Sequence, residues 1–343
     1  MSSGSEQPIR VGIVGLGYWG PNLARALAST PGCQLAYACD LDAGNRARIE
    51  GRYPGTVLTD RFDDLLEDDA LDAIVVATGA PSHYAIGRRV LEAGKHALIE
   101  KPLALTVEHA RELVELAAAR DRVLMVGHLL RFHPVFEHLH ELTQSGKLGR
   151  MLYLYTNRLN FGKVRADENA LWSLAPHDIS LALALAGERP EEVSARGEAF
   201  LRPGVEDVVF GYLHFPSGLV AHLHVSWLDP HKRRMLTVVG SEGMAVFDDT
   251  EADRKLTVYE KASSPSRFDT WGEFQALRTG DVLIPQVSNS EPLIQETKAF
   301  VAAVRRGSAT VASGDEGLAV VEVLTALQAS LEQRGAPIRL DSR

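Results

Sequence analysis

The sequence feature that most constrains the fold is the segment GLGYWG at residues 15–20, which lies between an apolar run and a helix-like stretch. The run RVGIV precedes it, PNLARALAS follows it, and Asp40 stands at the end of the next apolar run. Glycines in this arrangement permit a tight turn and a close backbone approach to a pyrophosphate, which the N-terminus of the following helix binds. The segment therefore predicts a dinucleotide-binding strand, turn and helix; an ordinary tight turn is the alternative.

Asp40 lies twenty residues past Gly20, the distance at which a carboxylate accepts the adenosine ribose hydroxyls. A carboxylate there repels the extra phosphate of NADP, although Arg46 and Arg48 follow closely and could reduce the repulsion. NAD is therefore favoured over NADP. The alternative for Asp40 is a helix N-cap or turn residue, because aspartate is favoured there.

The remaining pattern predicts two kinds of sheet. From Ile9 to about His128, the apolar runs RVGIVG, QLAYACD, DAIVVAT, KHALIE and VLMVGH alternate with helix-like stretches, which predicts a doubly wound parallel sheet. After Gly149 longer alternating runs with turn signals predict a mostly antiparallel sheet. Two helical stretches close the chain, the second ending near Gly335. The expected fold class is α/β.

Composition excludes several classes of protein. The chain has 343 residues, with 36 Lys and Arg against 45 Asp and Glu. The resulting net charge of −9 disfavours binding to the phosphate backbone of a nucleic acid. Its two cysteines, Cys33 and Cys39, cannot form a multi-thiolate metal site, and we expect no bound metal. No apolar run approaches a membrane span, and the first residues lack a signal-peptide pattern. We expect a cytoplasmic protein.

A second motif, Glu100-Lys101-Pro102, ends the apolar run HALIE. Open parallel sheets bind ligands at the carboxyl ends of their strands, so Lys101 is expected to reach a cofactor and its substrate. Residues 77–83 (ATGAPSH) and 127–134 (GHLLRFHP) follow the neighbouring apolar runs. Together with Lys101 they would form one continuous rim at the carboxyl ends of the strands. Alone, Lys101 would be read as a solvated lysine at a strand end.

These motifs, together with WSLAPHD at residues 172–178, resemble the glucose-fructose oxidoreductase and inositol dehydrogenase (Gfo/Idh/MocA) family almost from end to end. The resemblance implies an N-terminal Rossmann domain, set at residues 1–128, and a C-terminal α/β domain, set at 129–343. It implies NAD(P)-dependent chemistry on a sugar or polyol hydroxyl. It also implies a homodimer or homotetramer formed through the open sheet of the second domain.

The resemblance further places Lys101 beside the nicotinamide and His177 at the start of a helix in the second domain. Ser173 stands where the family usually has an aspartate, which favours the branch that acts on nucleotide-linked sugars. The expected cofactor contacts are Gly15, Gly17, Tyr18, Trp19, Gly20, Asp40, Thr78, His83, Glu100 and Lys101. The expected substrate contacts are Arg158, Asn160, Lys163, Arg165, Trp172, Ser173 and His177.

Oxidation of a secondary alcohol needs a base for the hydroxyl proton, and either Lys101 or His177 could serve. Histidine has an ordinary pKa of about 6.5, whereas lysine, at about 10.4, must be depressed to become a base. We therefore assign His177 as the acid/base and Lys101 as the electrostatic anchor of the alkoxide. A satisfied helix-start histidine is the alternative for His177, and a helix-start residue is the expectation for Asp178.

The basic segment at residues 158–165 could grip a substrate diphosphate, or could be a solvated loop. The leading hypothesis is an NAD-dependent oxidoreductase that interconverts a hydroxyl and a ketone at the 3-position of a UDP-linked N-acetylated amino sugar. The alternatives are a dehydrogenase of free inositol or sugar, a deoxysugar ketoreductase, and a regulator that binds the cofactor without turnover.

Overall fold

Short apolar runs in the first part of the chain form strands that alternate with helices. The computed structural model describes residues 7–162, 164–165, 168–260, 262–263, 277–278, 280–308 and 311–340. The first elements are β1 (Ile9–Val14), α1 (Gly20–Ser29), β2 (Cys33–Cys39), α2 (Ala43–Ala47), β3 (Val57–Thr59), α3 (Asp63–Glu67), β4 (Ala73–Val76), α4 (His83–Glu92), β5 (His96–Ile99), α5 (Val107–Ala119) and β6 (Leu124–Val126).

The first six strands form a parallel sheet in the order β3-β2-β1-β4-β5-β6. The order reverses between β1 and β4, which is the switch point where open α/β sheets bind ligands. Strand β4 is buried throughout, as expected for a strand with helices on both faces of its sheet. The predicted doubly wound sheet is confirmed. Strand β3 was not predicted because it is only three residues long and is not fully buried.

The second part of the chain forms a nine-stranded sheet in the order β16-β13-β12-β11-β7-β10-β9-β8-β17. Its elements, in chain order, are α6 (Pro134–Gln144), β7 (Met151–Phe161), α7 (Ala170–Ala186), β8 (Glu192–Glu198), β9 (Val208–His214), β10 (Val220–Ser226), β11 (Leu228–Gly240), β12 (Met244–Asp248), β13 (Leu256–Tyr259), β14 (Ala262–Ser263), β15 (Leu277–Arg278), β16 (Val282–Leu283) and, last in the chain, β17 (Ile338–Arg339). Every pair in the sheet is antiparallel except β7 with β10, which confirms the predicted mostly antiparallel sheet. Strands β14 and β15 form a separate pair.

The two faces of this second sheet differ because its strands alternate. On β10, Ala221, Leu223 and Val225 are buried, and α7 packs against β7, β9 and β10. The opposite face carries a group of aromatic and histidine rings in mutual contact, which are Tyr153, Tyr155, Phe210, Tyr212, His222 and His224. Tyr153 and Tyr212 are nearly half exposed. This second face is therefore open in the chain described here.

Two helices near the C-terminus, α8 (Pro292–Arg306) and α9 (Gly314–Glu332), were predicted as helical stretches. The chain divides into a first unit, which runs to Phe132 and includes Ser290–Glu322, and a second unit of His133–Asn289 and Val323–Arg343. This division departs from the expected boundary at residue 128, because α8 packs on α1, β1 and the 3-10 turn Leu129–Phe132. None of the described helices is long and apolar enough to cross a membrane.

Candidate active site

The glycine-rich turn of the first unit has the geometry that a dinucleotide requires. Gly15 has φ +94°, and a Cβ there would lie 2.7 Å from the backbone nitrogen of Thr78. A Cβ on Gly20 would collide with the carbonyl oxygen of Gly15, whereas the space beside Gly17 is open. No side chain caps the start of α1, so its positive end is left for an anionic group. These residues fit the pyrophosphate of a nicotinamide dinucleotide, and the exposed Tyr18 lies beside them.

Asp40 follows β2 and ties the glycine-rich turn to the next loop. Its carboxylate accepts the backbone N–H of Leu16 at 2.6 Å and that of Asp42 at 2.8 Å. The helix N-cap is Asp42 instead, which accepts from the backbone N–H of Asn45. Asp40 is therefore a turn residue at the edge where a ribose would lie. The guanidinium of Arg46 donates to the carbonyl of Asp40 at 2.6 Å.

His83 holds the turns that follow β4 and β5. It is 1% exposed, and its Nδ1 lies 2.7 Å from the carbonyl oxygen of Pro102 while its Nε2 lies 3.0 Å from that of Thr78. Burial lowers the pKa of His83, and its hydrogen bonds to the carbonyls of Pro102 and Thr78 oppose that change. The Lys101–Pro102 peptide bond is cis. Because both ring nitrogens face carbonyls, His83 positions the turn that carries Lys101.

Glu100 links the two motifs of the first unit. Its carboxylate accepts the backbone N–H of Lys101 at 3.2 Å and a hydrogen bond from the Trp19 side chain. Burial raises the pKa of Glu100, and the charge of Lys101 opposes that rise. The carboxyl group lies against Gly127, where a Cβ would come within 2.9 Å of its carbon. Trp19, expected to contact the cofactor, thus anchors Glu100 beside the glycine-rich turn.

The structure adds two titratable residues to this cluster: His128, which belongs to the segment 127–134 expected at the rim, and Glu296, which sequence reasoning missed. His128 is 1% exposed, and neither ring nitrogen has a hydrogen-bond partner in the described part of the chain. Burial and the charges of Arg131 and Lys101 lower the pKa of His128 to about 3. Glu296 of α8 is equally buried, and burial together with the charge of Glu100 raises its pKa well above the ordinary range.

A signal for Glu296 was present in the sequence. Leu293, Glu296 and Phe300 follow the i, i+3, i+7 spacing of one helix face, and all three are buried. A carboxylate on the apolar face of an amphipathic helix is exceptional, because charged residues are almost never fully buried unless paired. The signal for His128 was its position directly after an apolar run, in the segment 127–134.

In the second unit, the position of His177 corrects an expectation. Helix α7 begins at Ala170, and Asn169 is its N-cap, accepting the backbone N–H of Trp172 at 3.2 Å. His177 and Asp178 therefore lie in the middle of the helix, not at its start. The helix-start position was an implication of the family resemblance, and Pro176, a residue typical of a first helical turn, here lies inside the helix.

Arg158, an expected substrate contact, has an acidic partner within the second unit. This residue is in β7, not in a loop, and its Nε and Nη2 donate to the carboxylate of Asp178 at 2.7 and 2.9 Å. Both side chains are buried. A bidentate pair of this kind uses the guanidinium fork that a diphosphate would need. Arg158 therefore joins β7 to α7 within the second unit.

The other expected substrate residues have varied surroundings. Asn160, near the end of β7, is half-buried, and its Oδ1 has no hydrogen-bond partner within the described ranges. Arg165 is 58% exposed and pairs with Glu168 at 3.1 Å. Ser173 is buried on α7 and Trp172 is half-buried beside it. Lys163 lies outside the described residues.

The described part of the chain contains no set of side chains suited to bind a metal ion. No group of three or more histidine, cysteine, aspartate or glutamate side chains there could hold an ion. Cys33 and Cys39 are free, and burial raises the pKa of their thiols to about 12 and about 11.

Known proteins resemble this chain over most of its length. UDP-N-acetylglucosamine 3-dehydrogenase of Acidithiobacillus ferrooxidans is 31% identical over 241 residues, covering 70% of this chain and 74% of that protein. The scyllo-inositol 2-dehydrogenase (NAD(+)) of Bacillus subtilis is 24% identical over 98% of this chain and 97% of that protein. The crystal structure of GenD2 from gentamicin A biosynthesis in complex with NAD is similar with a TM-score of 0.82 and 27% identity, covering 99% of each chain.

Two family patterns match in succession. Residues 9–128 match the Gfo/Idh/MocA oxidoreductase family described as having an NAD-binding Rossmann fold. Residues 136–246 match the Gfo/Idh/MocA C-terminal domain. With the uncapped start of α1 and the glycine-rich turn beside Asp40, these matches identify the chain as an NAD-binding oxidoreductase of the Gfo/Idh/MocA family.

Proposed function

We propose that the protein interconverts a secondary hydroxyl and a ketone on a sugar, with NAD as its cofactor. The observation that carries the proposal is the position of Lys101, two residues past the carboxyl end of β5, where parallel sheets bind ligands. Its neighbours Glu100, His83 and His128 all interact with it electrostatically. A cation held in a half-buried cluster is suited to stabilise an alkoxide that develops beside it.

The turn at residues 15–20 would hold the pyrophosphate of NAD, and Asp40 would face its ribose. Bound NAD supplies the hydride acceptor, or the donor in the reverse direction. His177 takes the hydroxyl proton as general base and returns it as general acid, because the ordinary pKa of histidine, about 6.5, needs little adjustment. Lys101 anchors the substrate oxygen. Thr78 and His83 shape the turns beside it.

For the substrate, we propose a UDP-linked N-acetylated amino sugar that reacts at its 3-position. The similarity to UDP-N-acetylglucosamine 3-dehydrogenase supports this choice. Ser173 supports it as well, because a neutral serine is a weaker partner for a polyol than the family's usual aspartate, so binding energy has to come from a remote part of the substrate. With Arg158 engaged by Asp178, the remaining cations of this segment are Arg165 and Lys163.

A free polyol is the second candidate. The observation that favours it is the same buried Arg158, which removes the best phosphate ligand from the segment. The full-length similarity to scyllo-inositol 2-dehydrogenase agrees with it. In that case the polar groups of Asn160 and His177 would meet ring hydroxyls directly.

The deciding experiment is a kinetic assay that follows NADH fluorescence with matched substrates. UDP-N-acetylglucosamine, N-acetylglucosamine and scyllo-inositol are compared at equal concentrations. We expect kcat/KM to be at least about tenfold higher for the nucleotide sugar, and Arg165→Ala to raise KM mainly for that substrate. Equal or higher kcat/KM on scyllo-inositol would establish the second candidate, and NAD binding without turnover on any substrate would indicate a regulator.

We also propose that the open face of the second sheet binds a second copy of this chain. Tyr153, Phe210 and Tyr212 expose between 41 and 47% of their surface there, and neighbouring His222 and His224 stack against Phe210. Sedimentation velocity of Phe210→Asp tests this, with Phe200→Asp as the control because Phe200 is 70% exposed elsewhere. We expect only Phe210→Asp to shift the protein toward monomer. The cytoplasmic location stays a prediction.

A further inference from the structure

Two aspartates follow neighbouring strands at the edge of the first sheet where the cofactor ribose is expected, and only one of them was predicted. Strand β2 pairs with β3 in parallel register, with Cys39 opposite Thr59. Asp40 and Asp60 are the next residues of the two strands, and the backbone N–H of Asp40 donates to the carbonyl of Thr59 at 3.2 Å. The sheet edge therefore carries a second aspartate next to the loop that begins at Asp40.

The side chain of Arg46 connects these two aspartates. Its Nη1 donates to the carbonyl oxygens of Asp40 at 2.6 Å and of Leu41 at 3.1 Å. Its Nη2 lies 3.7 Å from Oδ2 of Asp60. The side chain of Arg46 is 21% exposed, whereas that of Asp60 is 61% exposed. The guanidinium is therefore engaged by two backbone carbonyls and one carboxylate.

The arginine that follows Asp60 in sequence has a different acidic partner. Nε of Arg61 lies 3.3 Å from Oδ1 of Asp64, and the backbone N–H of Arg61 donates to the hydroxyl of Thr59 at 3.0 Å. That hydroxyl donates in turn to the carboxylate of Asp64 at 2.5 Å. Among the described residues, the ion pair that Asp60 forms is therefore the one with Arg46.

The contacts of Arg46 bear on the choice between NAD and NADP. The carboxylate of Asp40 accepts the N–H groups of Leu16 and Asp42 and the side-chain amide of Asn45, the last at 3.3 Å. In dinucleotide-binding sheets that accept NADP, an arginine in this region binds the 2′-phosphate. Arg46 is placed to do so, since its Nη1 contacts the backbone of Asp40 itself. A phosphate there would have to compete with Asp60 for the guanidinium.

We propose that Asp60 is a specificity-determining residue, which pairs with Arg46 and so keeps that cation from binding the 2′-phosphate of NADP. Discrimination against NADP then has two parts, which are repulsion by Asp40 and competition by Asp60 for Arg46. The second part acts through Arg46, which distinguishes it from a direct repulsion between Asp60 and the phosphate. The inference rests on the proposed position of the ribose at Asp40, and it requires neither the proposed substrate nor the proposed catalytic residues.

Equilibrium binding of NADPH and NADH, followed by nicotinamide fluorescence, tests the proposal without any substrate. The test variants carry Asp40→Ser, which removes the first part of the discrimination. In this background we expect Asp60→Asn to lower the Kd of NADPH about tenfold relative to that of NADH, the scale of a charge-assisted hydrogen bond. Asp60 is 61% exposed, so the substitution should leave the fold intact.

The role of Arg46 is isolated by repeating the comparison with Arg46→Ala present. We expect Asp60→Asn then to have no effect on the ratio of the two Kd values, because the guanidinium that would bind the phosphate is gone. The ratio is used because a loosened loop at Asp40 and Leu41 would weaken both cofactors. The matched control is Arg48→Ala, which removes an exposed cation at the C-cap of α2 and should leave the effect of Asp60→Asn intact.

Three outcomes would overturn the proposal. If Asp60→Asn improves NADPH binding equally with and without Arg46, direct repulsion by Asp60 explains the gain. If the gain is lost with Arg48→Ala and kept with Arg46→Ala, Arg48 is the phosphate ligand. If Asp60→Asn changes nothing while Asp40→Ser alone favours NADPH, Asp40 accounts for the discrimination, and the proposed position of the ribose still stands. A wild-type protein that binds NADPH as tightly as NADH would contradict that position together with this inference.

Discussion

Each unit of the molecule buries a pair of ionisable side chains, but the two pairs have opposite chemistry. In the second unit, Arg158 and Asp178 are complementary charges joined by two hydrogen bonds of 2.7 and 2.9 Å. In the first unit, Glu100 and Glu296 are like charges, and Glu296 has no donor among the described residues. The first pair is hydrogen-bonded within itself, whereas burial and the charge of Glu100 raise the pKa of Glu296.

This difference indicates what each pair is for. A complementary buried pair contributes little net stability, but removal of one partner is strongly destabilising, so such a pair fixes where a strand and a helix meet. A like-charged pair destabilises the fold unless one member is neutral, and a leucine would fill the site of Glu296 more easily. The Arg158–Asp178 pair therefore serves the fold, because it joins β7 to α7.

The largest expected effect is the loss of stability when the complementary pair is broken. Asp178→Ala leaves the guanidinium of Arg158 buried without its partner, and we expect it to lower the free energy of unfolding by about 3–5 kcal/mol. Chemical denaturation followed by circular dichroism measures the change. If Arg158 instead served mainly to bind a phosphate, Asp178→Ala would leave the stability nearly unchanged.

The control for this prediction replaces both charges. The double variant Arg158→Met with Asp178→Leu removes the pair without stranding either charge, and we expect it to recover most of the lost stability. Recovery identifies the loss as that of an uncompensated charge. A double variant as unstable as Asp178→Ala would show that shape, not charge, joins β7 to α7.

The next effect concerns the site itself. Lys101→Ala and His177→Ala should each lower kcat by about 100-fold or more, the scale of a positioned acid or base, while NAD still binds. Lys298→Ala is the control, since Lys298 is exposed on α8. Stopped-flow turnover and NADH binding measure the two properties separately. Normal kcat in both variants would show that Lys101 and His177 have structural rather than catalytic roles.

The first unit was predicted more completely than the second, for a physical reason. Its expected residues follow strand ends of one parallel sheet, and that topology brings every strand end to the same edge. Gly15, Asp40 and Lys101 could therefore be placed from the chain order alone. The pattern also predicted both sheets, because strand alternation and burial are local properties.

What could not be predicted depends on partners distant in sequence. Arg158 and Asp178 lie 20 residues apart, and nothing in either segment shows that they bond. Glu296 lies in the first unit only because α8 returns there after every strand of the second sheet except β17. The basic composition of residues 158–165 also overstated how many of their charges lack an acidic partner, because Arg165 pairs with Glu168, three residues along the chain.

A smaller expected effect is the pH dependence of stability that His128 causes in the first unit. The pKa of His128 is about 3 in the folded protein, below the ordinary value of about 6.5. The unfolded chain binds more protons between those values, so stability falls as pH falls below about 6.5. His128→Phe removes this dependence, which amounts to about 1.4 kcal/mol per pH unit. Denaturant unfolding at pH 7 and pH 5 checks it; parallel losses in wild type and variant would assign the slope to other groups.

The smallest expected effect concerns Asp40, a carboxylate of the first unit that has the N–H donors Glu296 lacks. Asp40→Ser removes its charge, and we expect the ratio of kcat/KM for NADP to that for NAD to rise by about tenfold, because the carboxylate no longer repels the phosphate. Since Asp40 also accepts the N–H of Leu16 at 2.6 Å, Asp40→Asn is the matched variant that keeps the side-chain shape. If repulsion sets the preference, Asn and Ser shift it in the same direction, and Asp42→Asn, at the exposed cap of α2, leaves it unchanged. A wild-type protein that already prefers NADP would contradict the assignment of Asp40 and leave it only the turn-forming role that its hydrogen bonds describe.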